Sequence, residues 1–233
     1  MKQALAWALC ATAALPGMAQ AEITSAEIGL DYSTFGDADA RDAHKATLGG
    51  ALEFAITPQF AFQGDLAQRY YSFANWKGTT FTGHGIFHAG PDTAIGGFVG
   101  KDWLSHDNGG EFYGFEARQS LGPIAVEGYG LYFDGEKEDG YGVGLRGDYQ
   151  LTNQLTVGGR FDTLNTDMGM PRLSATTSYE FAPGYAVNGE LGYADPKNSD
   201  KEVFLTLGVK ATFGPGQGVT FGGRGLQEIL PGY

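Results

Sequence analysis

Apolar and polar residues alternate one for one along most of this chain. Before Ala182-Pro183-Gly184, Tyr179 and Phe181 alternate with Ser178, Glu180 and Ala182. After it, Tyr185, Val187, Gly189, Leu191 and Tyr193 alternate with Asn188 and Glu190. A period of two sends successive side chains to opposite faces of a strand. The stretch therefore predicts a hairpin with one oily, aromatic face and one charged face. The phrase recurs around Pro58, Pro91, Pro123 and Asn153, and more loosely around Pro215. The spacing is roughly 30 to 33 residues, the mark of a repeated supersecondary unit. No stretch sustains a helical period.

Laid out from the turns, the pattern predicts twelve strands of roughly 10 to 13 residues, a length that suits a tilted membrane-spanning strand plus margins. The first begins at Glu22 and the last ends at Phe213. Short connections carrying Pro, Gly or Asn alternate with longer ones rich in Asp, Gly, Lys and Asn, as in outer-membrane barrels. Aromatics gather beside the short turns (Phe54, Phe60, Phe87, Tyr149, Tyr179, Phe181, Tyr185, Phe213) and again at the opposite strand ends (Tyr32, Tyr70, Tyr71, Trp76, Trp103, Tyr132, Tyr141, Tyr193). Two such rings are expected at two membrane–water boundaries. Lipid tolerates no open sheet edge, so the sheet is expected to close. The predicted fold is an all-β, up-and-down antiparallel transmembrane barrel. The competing arrangement is a secreted soluble sandwich or solenoid with the apolar face as its core.

Residues 1–21 read as a cleaved secretory leader: Lys2, an apolar run from Ala4 to Leu15, then Ala19-Gln20-Ala21. Cys10, the single cysteine, falls inside it, so the mature chain has no disulfide to hold it. Loss of Lys2 takes the formal charge from −12 to −13, with 14 basic against 27 acidic residues. That balance excludes a nucleic-acid partner, which needs a basic patch.

The leader, the repeated hairpin phrase and an apolar last strand closing on Phe213 resemble bacterial outer-membrane β-barrels of the porin-like kind. The resemblance implies residence in the outer membrane of a Gram-negative cell, outer-membrane lipid as the surrounding partner, and passage of small hydrophilic solutes or ions; a homo-oligomer is compatible with it. It implies no cofactor and no enzymatic role. Two features depart from such porins. No loop is long enough to fold into the pore, and Gly214–Tyr233 continue past the last strand. This tail, in which Phe221-Gly222-Gly223-Arg224 echoes Val157-Gly158-Gly159-Arg160, reads equally as a vestigial strand, a periplasmic tail or a plug.

The polar face would line a lumen, because mid-strand charges are costly against lipid. Six of its residues are candidates for a constriction near mid-membrane. Glu53, Asp65 and Glu190 fall on strands two, three and eleven; Arg118, Arg146 and Arg160 fall on strands six, eight and nine. Opposed acids and bases would set a transverse field that sorts polar solutes. Alternatively, Glu116, Glu127, Asp148 and Asp162 pair with the arginines beside them and the lumen is packed. Glycines between the charges (Gly49, Gly96, Gly142, Gly144, Gly158, Gly208) leave room for water. Gly142–Gly147 spells a dinucleotide fingerprint, but inside a strand it lacks the helix that motif needs. His84 and His88 lie about 13 Å apart along one strand and cannot share an ion. Asp37, Asp39 and Asp42, like the acidic run from Asp134 to Asp139, read as solvated loops. The leading functional expectation is a passive, porin-like channel; a non-conducting barrel and an outer-membrane hydrolase are the alternatives.

Overall fold

The structure is a computed structural model, and it describes residues 22–36, 44–72, 76–105, 107–135, 139–165, 169–195, 200–216 and 218–229. The leader, the Asp37–Asp42 loop, Phe73 and residues 136–138 lie outside these.

Twelve strands form one closed antiparallel barrel, in accord with the alternation. They are β1 (Glu22–Phe35), β2 (His44–Ala55), β3 (Phe60–Tyr71), β4 (Trp76–Gly90), β5 (Thr93–Leu104), β6 (Asp107–Leu121), β7 (Ile124–Gly135), β8 (Asp139–Gln150), β9 (Leu155–Asn165), β10 (Arg172–Ala182), β11 (Tyr185–Ala194) and β12 (Glu202–Phe213). Each pairs with its sequence neighbours, and β12 closes onto β1 from Ala26↔Phe213 to Phe35↔Phe204. Among the described residues no helix is long and apolar enough to cross a membrane.

The apolar face points outward all round. Leu30, Leu48, Phe62, Leu66, Val99, Leu145, Leu173, Leu191 and Val209 are all exposed. This removes the soluble sandwich, in which the same residues would be the core. Aromatic rings stand in contact at both rims: Phe60 with Phe87 and Phe181 with Tyr185 beside the short turns, Tyr113 with Tyr132 and Tyr132 with Tyr141 at the other end. Tyr71 corrects the expected girdle. It is 2% exposed and its hydroxyl donates into the lumen to Gln227.

The glycine gaps are largely filled by protein rather than left for water. Space beside Gly96 is taken by Phe221 and Glu116, beside Gly144 by Tyr129 and Asp162, and beside Gly208 by Asp31. A side chain at any of these glycines would collide with those neighbours.

After Phe213 the chain turns inward. Gly214, in a left-handed conformation (φ 100°) that glycine adopts without penalty, makes the turn. The tail then runs up the inside of the barrel from the short-turn mouth and reaches a single helical turn, α1 (Leu226–Ile229). Among the described residues it makes no strand pairing along its course.

Candidate functional site

From Val219 to Gln227 the tail lies mainly against the wall built by β1–β7, and its end, Glu228 and Ile229, also meets Arg160 of β9 and Arg172 of β10. Near the short-turn mouth, the Val219 amide donates to Glu27 (3.3 Å), Thr220 to Glu53 (2.7 Å) and Phe221 to Gln63 (3.0 Å). Gln63 donates back to the Phe221 carbonyl (2.7 Å). The Phe221 ring packs with Ala61, Ile86 and Ala94 and stacks on His84, 6.2 Å between centroids. His84 is fully buried between two carboxylates, Nε2 at 2.8 Å from Asp65 and Nδ1 at 2.6 Å from Glu116. Both nitrogens can donate at once only in the protonated ring.

One layer higher, Arg224 reaches Glu116 (2.8 Å) and Glu127 (2.6 Å) and lies 4.4 Å over the Tyr129 ring. Both acids and the arginine are buried. Above it, Asp102 accepts the Leu226 amide (2.7 Å) and the Gln227 side chain (3.2 Å), which covers the start of α1. Arg69 binds Glu228 (2.5 Å), Arg172 donates to the carbonyls of Glu228 and Ile229, and Lys45 donates to that of Gln227. Leu226 and Ile229 join Phe98, Phe112, Leu131, Phe133 and Leu164 in an apolar cluster at the long-loop end. Phe35, Met170, Ala194 and Phe204 form a second cluster there.

The opposite side of the lumen is open. A cavity of about 340 Å³ lies between the tail and the wall of β8–β12, β1 and β2. It shares Asp148, Thr156, Ser178 and Lys210 with a vestibule of about 660 Å³ at the short-turn mouth. Lys45, Arg146, Arg160, Arg172 and Lys210 line the cavity, balanced by Glu27, Asp31, Asp148, Glu190 and Glu228, five of each sign. Thr47, Thr156, Thr176, Ser178, Asn188 and Thr206 add neutral hydrogen-bonding groups. On the tail side the lining is Gly222, Gly223 and Glu228. A Cβ at Gly223 would meet nothing within 4 Å.

The six residues singled out by sequence all face inward but fall into two groups. Glu53 and Arg118 hold one tail residue between them, Thr220, by its amide (2.7 Å) and carbonyl (3.2 Å); Asp65 is occupied by His84 and Gln63. Arg146, Arg160 and Glu190 line the open cavity. Arg146 and Arg160 are register partners on β8 and β9. Each turns its Nε to the acid two residues on, Asp148 (2.9 Å) and Asp162 (2.6 Å). Glu190 binds Arg172 (2.5 Å) and Ser174. The pairing of arginines with neighbouring acids is therefore present for Arg118–Glu127, Arg146–Asp148 and Arg160–Asp162, while Glu116 pairs with the tail instead. Sequence reasoning missed Phe221, Arg224, Gln227 and Glu228. Their signal lay in the apolar residues of inward parity, Phe98, Phe112, Leu131 and Phe133, which a wholly wet lumen does not need.

No known protein family and no curated protein sequence matches the chain. Solved structures do. The KdgM porin superposes with a TM-score of 0.63 at 14% identity, over 80% of this chain and 99% of that one. The NanC porin gives 0.63 at 7% identity, over 80% and 98%. The outer membrane protein Omp33 of Acinetobacter baumannii gives 0.54 at 15%, over 82% and 99%. The chain thus has the fold of the outer-membrane porins, at identities that speak for the fold alone.

Proposed function

We propose that this protein resides in the outer membrane of a Gram-negative cell and passes small hydrophilic solutes by diffusion along the half of its lumen beside the tail. The observation that carries this reading is the polar cavity continuous with the short-turn vestibule. The outward apolar belt, far larger than a soluble surface tolerates, supports lipid as its surroundings. Residues 1–21 have the pattern of the export signal such a location requires. The cavity beside the tail is lined by charged, hydroxyl and amide side chains and glycines, with no apolar stripe to hold a greasy ligand, and its charges cancel. The lining therefore suits uncharged or zwitterionic solutes and gives weak ion selectivity. A KdgM porin of this fold is known in complex with disordered oligogalacturonate, a hydrophilic solute.

Arg146, Arg160 and Glu190 are the proposed selectivity residues. Arg146 is half exposed to the cavity, so a change of sign there acts on passing ions more than on the fold. Single-channel recording on the purified protein in planar bilayers tests the reading. Discrete conductance steps are expected, with selectivity shifted toward cations by Arg146→Glu and Arg160→Glu.

A specific observation favours a second reading, a non-conducting barrel. The two apolar clusters and α1 fill the lumen at the long-loop end among the described residues. Bilayers that stay silent would decide for it.

A further inference from the structure

We propose that the luminal wall of β1–β7 is a peptide-binding site and that residues 218–229 are its resident ligand, held by the wall's side chains rather than by the covalent link to β12. The site takes an extended peptide carrying an aromatic, a basic and an amide side chain at three-residue spacing.

Three observations point to a built receptor. First, the wall reads the tail's backbone with side chains. Amides 219, 220, 221, 222 and 226 each donate to a wall carboxylate or to Gln63, and Arg118, Gln63 and Lys45 donate to the carbonyls of 220, 221 and 227. An added strand would pair backbone to backbone; this segment is gripped as a ligand is. Second, every third residue has its own receptacle. Phe221 enters the pocket of Ala61, Ile86 and Ala94; Arg224 sits between Glu116 and Glu127; Gln227 meets Asp102 and Tyr71. Third, the wall is complementary to this occupant. Glu116 and Asp102 are buried acids whose partners include tail groups, and an arginine held by two carboxylates is among the strongest and most geometrically specific contacts available.

The link itself contributes little. Gly214, Pro215 and Gly216 are exposed at the vestibule, and among the described residues their one backbone anchor is the Gly216 amide on the Thr24 carbonyl (2.9 Å). Severing the chain there leaves every contact above in place. It removes only the high effective concentration that a tether supplies.

The test uses the full chain with a protease recognition sequence inserted between Gly214 and Pro215. The folded protein is cut in detergent, passed over a sizing column and weighed by mass spectrometry. The fragment is expected to travel with the barrel. In the same protein carrying Arg224→Ala, it is expected to be bound on the order of 100-fold more weakly, because two buried carboxylates each lose their guanidinium contact to the tail, and to separate. A wild-type fragment that leaves while the barrel still shows its folded, heat-modifiable band overturns the proposal. So does an Arg224→Ala fragment retained as well as the wild type. Amide hydrogen exchange on the uncut wild-type chain reads the same contacts without the insertion. Protection at 219–222 and 226 is expected, and free exchange there overturns it. None of these readouts depends on whether the barrel conducts.

Discussion

The two halves of the lumen use the same residue types for opposite ends. On the β1–β7 side, charges are buried and face groups brought from the far end of the chain: Glu116 and Glu127 hold Arg224, Asp102 covers α1, and Arg69 holds Glu228. On the β8–β12 side, Arg146 and Arg160 pair with acids two residues along the same strand and also line the cavity, while Arg172, buried, binds Glu190 and the end of the tail. Distance from water decides the difference. A buried charge stripped of its partner is left uncompensated, whereas a solvated one is screened and replaceable. The filled half is therefore a core, although made of charges, and the open half is a surface folded inward.

Substitutions across the two halves put this contrast at risk. The largest effect is expected at Arg224. Replacement by Ala leaves buried Glu127 with only Arg118 (3.4 Å) and the Gly222 amide and leaves Glu116 with only His84, and should cost about 3 kcal/mol or more in urea unfolding from lipid vesicles. Phe221→Ala empties the pocket of Ala61, Ile86 and Ala94 and should cost about 3 kcal/mol by the same assay. Arg160→Ala, at the boundary, leaves buried Asp162 with the Tyr129 hydroxyl and should cost about 2 kcal/mol. Arg146→Ala, in the open half, should change stability by less than about 1 kcal/mol while altering ion selectivity in bilayers. A loss at Arg146 equal to that at Arg224 would erase the distinction between the halves.

Most of the barrel was legible in the chain because a membrane barrel has a simple code. Alternation fixes which residues face out, turn residues fix the strand ends, and lipid enforces closure. Twelve strands, their order and the inward parity of all six candidate residues follow from that code. What fills the interior does not. Glu53 and Asp65 look like free lumen charges until Thr220 and His84 are seen against them. The glycines suggest water, yet Phe221 and Tyr129 occupy the gaps. Tyr71 sits among rim aromatics in sequence but one register position turns it inward to Gln227. The tail has no alternation to read, since it binds through backbone groups and through single side chains whose pockets are assembled from five strands.

The central claim is that solutes pass beside a seated tail, through the gap bounded by Gly222, Gly223, Arg146 and Arg160. Single-channel conductance of the full-length protein with Gly223→Trp tests it most directly, since Gly223 lines the cavity and a Cβ there meets nothing within 4 Å. The account predicts discrete steps for the wild type that shrink markedly in the variant. A wild type that never opens, or a variant that conducts as the wild type does, would contradict it.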